Sequence, residues 1–122
     1  MLTLMPSIRI HLALAPADMR KSVDGLSALV ASELGEDALS GHLFLFRNRR
    51  GDRMKAVYWD RNGFAVWYKR LERGRFSFPP AARGRVTISP ETFQLLVGGL
   101  SLDRMWKSAS YRHISIDTPS PA

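Results

Sequence analysis

The chain contains no cysteine. That removes disulfide frameworks, thiolate zinc sites and cysteine nucleophiles together, and it fits a reducing compartment such as the cytoplasm. Long apolar runs are also missing. The longest uncharged stretch, 92–102, is far shorter than the roughly 20 residues of a membrane-spanning helix, so no membrane association is expected. The opening MLTLMPSIRIHLALAPADMRK does not read as a signal peptide, because it lacks a basic start and Pro6 and Arg9 interrupt its apolar character. Catalytic groupings are absent too. His11, His42 and His113 stand far apart, without metal-ligand spacing. The acids form no cluster, and there is neither a nucleophile elbow nor a glycine-rich phosphate loop. The sequence therefore predicts a cytoplasmic, non-catalytic protein with no metal and no cofactor.

What is present in excess is positive charge. Eighteen Lys and Arg face eleven Asp and Glu, a net charge of +7. Residues 47–75 hold ten of the cations (Arg47, Arg49, Arg50, Arg53, Lys55, Arg61, Lys69, Arg70, Arg73 and Arg75) and only three acids. That segment alone sums to +7, and the rest of the chain is balanced. Most of these cations are arginine, whose planar guanidinium suits bidentate phosphate contacts and stacking on rings.

At 122 residues the chain has the size of one domain and can bury a core without staples. IRIHLAL at 8–14 alternates like a half-buried strand. Between 18 and 34 the period changes: Val23, Leu26, Val30 and Leu34 mark one helical face, with Asp18 or Ser22 as cap and Gly35 as stop. HLFLFRN at 42–48 is apolar on both faces, which fits either a central strand or a short buried one. Strands follow at 53–60 and 64–71, joined at Asn62-Gly63, a strong signal for a type I′ hairpin. RFSF is a short extension, RVTI at 85–88 a last strand, and Ser89-Pro90-Glu91 opens a second helix. The prediction is an α+β domain over 1–105, an antiparallel β meander with one helix before the hairpins and one after. Residues 106–122 have no period and are expected to form a mobile C-terminal tail.

Side chains alternate along strands, so the hairpin divides into two faces. One collects Met54, Ala56, Tyr58, Ala65, Trp67 and Leu71, with Lys69 as a misfit, and reads as core. The other collects Arg53, Lys55, Val57, Trp59, Phe64, Val66, Tyr68 and Arg70. Its cations lie close enough to repel, a penalty that a bound anion would remove. Basic faces with interleaved aromatics serve nucleic acid through phosphate contact and base stacking. A plainer reading is that these long side chains only lie over an exposed sheet. Asp18-Met19-Arg20-Lys21 is either a helix cap or a second recognition element, in which Arg20 and Lys21 contribute.

DMRKSVDGLSALV, SGHLFLFRNRRGDRMK and YWDRNGFAVWYKRLERGRFSFP resemble the TnpB accessory proteins encoded by bacterial insertion sequences of the IS-66 type. The likeness runs from about Ile8 to Leu100 and is most specific at WD-x-x-G-F and WYKRLE-x-GRF. The RNA-guided nuclease that shares the TnpB name is a different and far larger protein. The resemblance implies an accessory role in transposition, with strand cleavage left to a separate transposase. Two functions fit it. One is DNA binding through Arg47, Arg49, Arg50, Arg53, Lys55, Arg61, Tyr68, Lys69, Arg70, Arg73 and Arg75. The other is an adaptor that docks on the transposase or another element-encoded protein.

Overall fold

The computed structural model describes residues 7–107 and the backbone of 113–114. Its centre is a single sheet of strands β1 (Ile10–Ala13), β2 (Leu43–Arg47), β3 (Arg53–Asp60), β4 (Gly63–Arg70) and β5 (Arg85–Ile88), extended by the two-residue β6 (His113–Ile114). The spatial order is β4-β3-β2-β1-β5-β6. Among the described residues there are three α-helices, α1 (Val23–Leu34), α2 (Pro90–Val97) and α3 (Asp103–Lys107), and one short 3-10 turn, Ala38–Ser40. The α+β class holds, but the pure antiparallel meander does not. β1 and β2 pair in parallel, Ile10 opposite Leu43 and Leu12 opposite Leu45, with α1 as the crossover between them. A parallel pair needs such a long connection, and a helical segment between two strands is its sequence mark. The other pairs are antiparallel.

Both faces of the sheet are covered. Leu26, Val30 and Leu34 of α1 pack with Ala13, Phe44, Phe46 and Val57 on one side. On the other, Phe93, Leu96 and Val97 of α2 and Trp106 of α3 join Ile10, Leu12, Leu45 and Met54. β1 is therefore buried along its whole length, His11 included, rather than half-buried as its alternation predicts. Being flanked by two strands and covered by two helical layers decides its burial more than its own pattern does.

The helix ends follow the sequence signals in part. Gly35 takes a left-handed conformation (φ 64°) that ends α1, its N–H donating to Ala31 O while Glu36 N–H donates to Val30 O; this is the paired bond of a glycine-terminated helix. Ser89 Oγ accepts from Thr92 N–H and caps α2. Ser22 occupies the cap position of α1 without a side-chain bond, and Asp18 closes a turn before the helix instead. RFSF forms no strand, yet Phe76 and Ser77 are buried, and Phe76 N–H donates to Gly51 O.

The boundary of the folded unit also moves. Trp106, which the sequence places in the tail, is 4 % exposed. Its indole N–H donates to Ser77 O at 2.8 Å. Trp106 and Lys107 belong to a third helix and not to a mobile tail. The rest of the expected tail falls outside the described residues, apart from the backbone pairing of 113–114 with β5.

Candidate nucleic-acid interface

The register of β3 against β4 fixes the two hairpin faces. Met54 lies opposite Lys69, Ala56 opposite Trp67 and Tyr58 opposite Ala65; between them Arg53 faces Arg70, Lys55 faces Tyr68 and Val57 faces Val66. The loop is Arg61-Asn62, one residue earlier than the Asn-Gly signal suggests. Arg61 takes the positive φ of 57°, and Gly63 pairs with Asp60 as the first residue of β4. A one-residue shift of the loop leaves the parity of the pairing intact, so the face assignment survives it.

The misfit on the inner face has a structural job. Lys69 Nζ donates to Val97 O at 2.7 Å, at the C-terminal end of α2. There an ammonium satisfies a carbonyl with no helical partner and opposes the negative end of the helix dipole. Lys69 therefore lies away from the outer basic face. Lys69→Met, which keeps the stem and removes the donor, should cost about 1–2 kcal/mol by urea unfolding, because a carbonyl is left without its charged partner. The same substitution should leave any DNA affinity unchanged.

On the outer face a groove of about 780 Å³ opens between the Ala17–Arg20 loop and β3–β4. Val66, Ala17 and Met19 give it an apolar lining, and Arg49, Arg50, Arg53, Lys55 and Arg20 supply its cations. Tyr68, 48 % exposed, shares the groove. This is the principal convergence in the structure: the loop around Arg20 and the basic hairpin, separate in sequence, form two walls of one groove.

Each cation is held differently. Arg20 forks onto Asp18, with Nη2 at 2.7 Å from Oδ2 and Nε near both oxygens. Hydrogen bonding from the Arg20 side chain, then from its backbone, holds the Asp18 carboxyl at a pKa of about 2, so the pair stays charged and rigidifies the loop. Among the described lining residues Asp18 is the only acid, and it offsets Arg20; four further cations have no acid in the lining, although Arg50 has Asp52 at 4.0 Å behind it. Lys55 Nζ donates to Lys21 O at 2.7 Å and sits 5.8 Å from the Tyr68 ring centroid, a distance suited to cation–π attraction. That attraction favours this placement of the ring. Arg53 and Arg70 face each other across the strands, and Arg70 leans to Glu72 at 3.2 Å.

Arg49 and Arg50 stand on the turn between β2 and β3. Asn48 builds that turn: its side-chain carbonyl accepts from Gly51 N–H at 2.9 Å and Arg53 N–H at 3.0 Å, and its amide donates to Asp52 at 2.8 Å. Gly51 supplies a φ of 84° that other residues rarely adopt. That bond from Asn48 keeps the Asp52 carboxyl ionised, its pKa below the usual carboxylate range. The result is a stiff turn that projects two exposed arginines. Asn48 is the residue that charge counting misses, although Asn before Arg-Arg-Gly is a legible turn signal.

The remaining candidates lie elsewhere. Arg61 is at the hairpin tip beside Asp60 (3.8 Å), some 25 Å from Arg53 by the length of the strand. Lys21 contributes its backbone carbonyl, and its side-chain stem lies over Gly25. Arg73 is exposed, with no ion pair among the described residues. Arg75 is also exposed and lines a second, smaller cleft with Arg47. Arg47 is not a surface cation. Its Nη2 donates to Leu14 O at 2.9 Å, its guanidinium lies 5.2 Å from the Phe78 ring centroid, and burial lowers its pKa.

The model of the family described as IS66 Orf2 like protein matches residues 8–107. An uncharacterized protein of Sinorhizobium fredii, y4jC, is 45 % identical over 98 residues, 80 % of this chain and 84 % of that protein. A second uncharacterized protein of the same organism, y4hO, is 36 % identical over 94 residues, covering 77 % and 82 %. No solved structure matches the chain. Among the described residues, no helix is long and apolar enough to cross a membrane.

Proposed function

Since the chain belongs to the IS66 Orf2-like family, and so to a transposition-associated group, we propose that it is a non-catalytic accessory protein that binds DNA in the Arg20–Tyr68 groove. The observation that carries this reading is the groove itself, where uncompensated cations surround one exposed tyrosine above apolar residues. Each part has a task. Arg49, Arg50 and Arg53 meet phosphates, the stiff Asn48 turn limits the entropy lost when they do, and Tyr68 offers a ring held by Lys55 for a base to stack on. A tyrosine face is usable by an unstacked base, so single-stranded or unpaired DNA, as at the ends of a mobile element during strand transfer, is the preferred ligand.

The plainer account, cations lying over an exposed sheet, does not describe Lys69 and Arg47, whose terminal groups bond carbonyls within the fold. It does not explain Arg49 and Arg50, which the turn holds out into solvent. Salt-titrated binding to a fluorescent single-stranded oligonucleotide tests the proposal. Tyr68→Ala should weaken binding by about 1–3 kcal/mol while preserving the salt dependence. Weak binding that is indifferent to Tyr68, together with a purified transposase captured by the wild type and lost with Arg49→Ala/Arg50→Ala, would favour the adaptor role.

A further inference from the structure

We propose that the second cleft is a phosphate subsite, and that it receives a backbone phosphate of the same DNA strand once that strand has crossed the turn between β2 and β3. This inference rests on the DNA reading above for the source of the phosphate, though not for the existence of the subsite.

The cleft, about 220 Å³, lies on the far side of the turn from the groove. Arg49 and Arg50 line both, so the turn is a ridge between two depressions. On the far side they meet Arg47 and Arg75, and the rest of the wall is Gly51, Phe76, Phe78, Pro79, Pro80 and Ala81. Four arginines thus line a small cleft with no acid among its described lining residues. Asp52, on the same turn, pairs with Arg50 alone of these four, at 4.0 Å.

Arg47 makes the case for an anion. One of its terminal nitrogens, Nη2, has a carbonyl partner, but Nη1 is buried with no hydrogen-bond partner among the described residues. No carboxylate pairs with it there, and Arg49 nearby adds repulsion to the burial that already disfavours its charge. A cation withdrawn from water without a counter-charge is costly, and folds normally supply one. Here the fold supplies three more arginines. A phosphate in the cleft would offset part of this positive charge and would accept from the planar donors that arginine presents. Successive phosphates of an extended strand lie several ångströms apart, so a strand in the groove has a neighbouring phosphate within reach across a turn this narrow.

The test uses the whole chain and inorganic phosphate as the probe. Thermal unfolding is followed as phosphate replaces chloride at constant ionic strength. Wild type and Tyr68→Ala should show a saturable rise in Tm of a few degrees, as expected when a ligand binds only the folded state. Arg75→Gln should keep only the gradual, unsaturable rise that excluded salts give any protein. This variant is safe for folding, because the Arg75 side chain is exposed and only its stem approaches Gly51. In the second arm, the salt slope for a single-stranded oligonucleotide should become shallower by about 0.7 in Arg75→Gln, one phosphate's worth. Identical, unsaturable responses from wild type and Arg75→Gln overturn the subsite and leave the DNA reading standing. A saturable phosphate response with an unchanged oligonucleotide slope overturns the backbone source. A saturable response in a protein that binds no DNA supports the subsite and removes the reading on which its source depends.

Discussion

Trp106→Ala should destabilise the protein by about 3–5 kcal/mol, the usual cost of deleting a buried aromatic. The residue is 4 % exposed and its ring belongs to the core beneath α2. The same indole N–H also reaches Ser77 Oγ at 3.2 Å, while that hydroxyl accepts from Leu102 N–H and donates to Asp103. Removing the ring therefore opens a cavity and takes a donor from a network that ties residues 77 and 102–106 together. Ser77→Ala should cost less, about 1–2 kcal/mol, because only polar partners are lost. Urea unfolding with both variants checks the pair. A chain ending at residue 105 should lose at least as much stability as Trp106→Ala. A truncated chain as stable as the full protein would return Trp106 to the tail.

The second large effect is a loss of stability in mild acid, traced to His11. Its ring is 2 % exposed, its Nδ1 pairs with Thr87 Oγ1 at 2.9 Å, and it stacks on Phe44. Burial lowers its pKa from 6.5 to about 4, against the pull of Glu36 and with help from Arg85, His42 and Arg9. Glu36 cannot reverse this, since its carboxylate is already engaged by Arg85 at 2.9 Å and lies 4.0 Å from the His11 ring. The sign follows from which state holds the proton. Between pH 4 and 6.5 the unfolded chain binds a proton at His11 and the folded protein does not, so acid favours unfolding. The contribution is whole above pH 6.5, falls as the pH drops toward 4, and amounts to about 3 kcal/mol over that window. Asp18, with its depressed carboxyl pKa, acts only in more acidic solution, so the two effects separate. His11→Gln should flatten the slope of unfolding free energy between pH 6.5 and 4, whatever it does to stability at pH 7. An unchanged slope would mean that His11 is charged or accessible in the fold.

What the sequence shows and what it hides divide along physical lines. The two hairpin faces are legible because strand alternation is a local rule, and the one-residue displacement of the loop to Arg61-Asn62 does not disturb it. Lys69 is legible as an anomaly, a cation on an apolar face, but its partner Val97 O is twenty-eight residues away and only the fold brings it there. The β1–β2 pairing is harder, since alternation says that a segment is a strand and nothing about its neighbour. The helical period between the two strands is the cue that favours a parallel crossover over a meander. Trp106 has no cue at all: it opens a stretch without periodicity, and its burial is a tertiary fact. Arg47 shows the limit of counting charges. Ten cations cluster in sequence, but the fold spends Lys69 and Arg47 internally, leaves Arg61 at a distant tip, and draws Arg20 in from a loop that charge density does not single out.

DNA binding in the Arg20–Tyr68 groove, through phosphates and a stacked base, is the central proposal. Its most direct test is the salt dependence of affinity for a single-stranded oligonucleotide, measured for wild type and for Arg49→Ala/Arg50→Ala. Four phosphate contacts, from Arg49, Arg50, Arg53 and Lys55, predict that log K falls against log salt with a slope of about −3, and that the double variant halves it to about −1.5. Thermal stability should barely change, since both side chains are exposed on a turn that Asn48 holds closed. Equal slopes for the two proteins, or no binding by either at low salt, would contradict the claim.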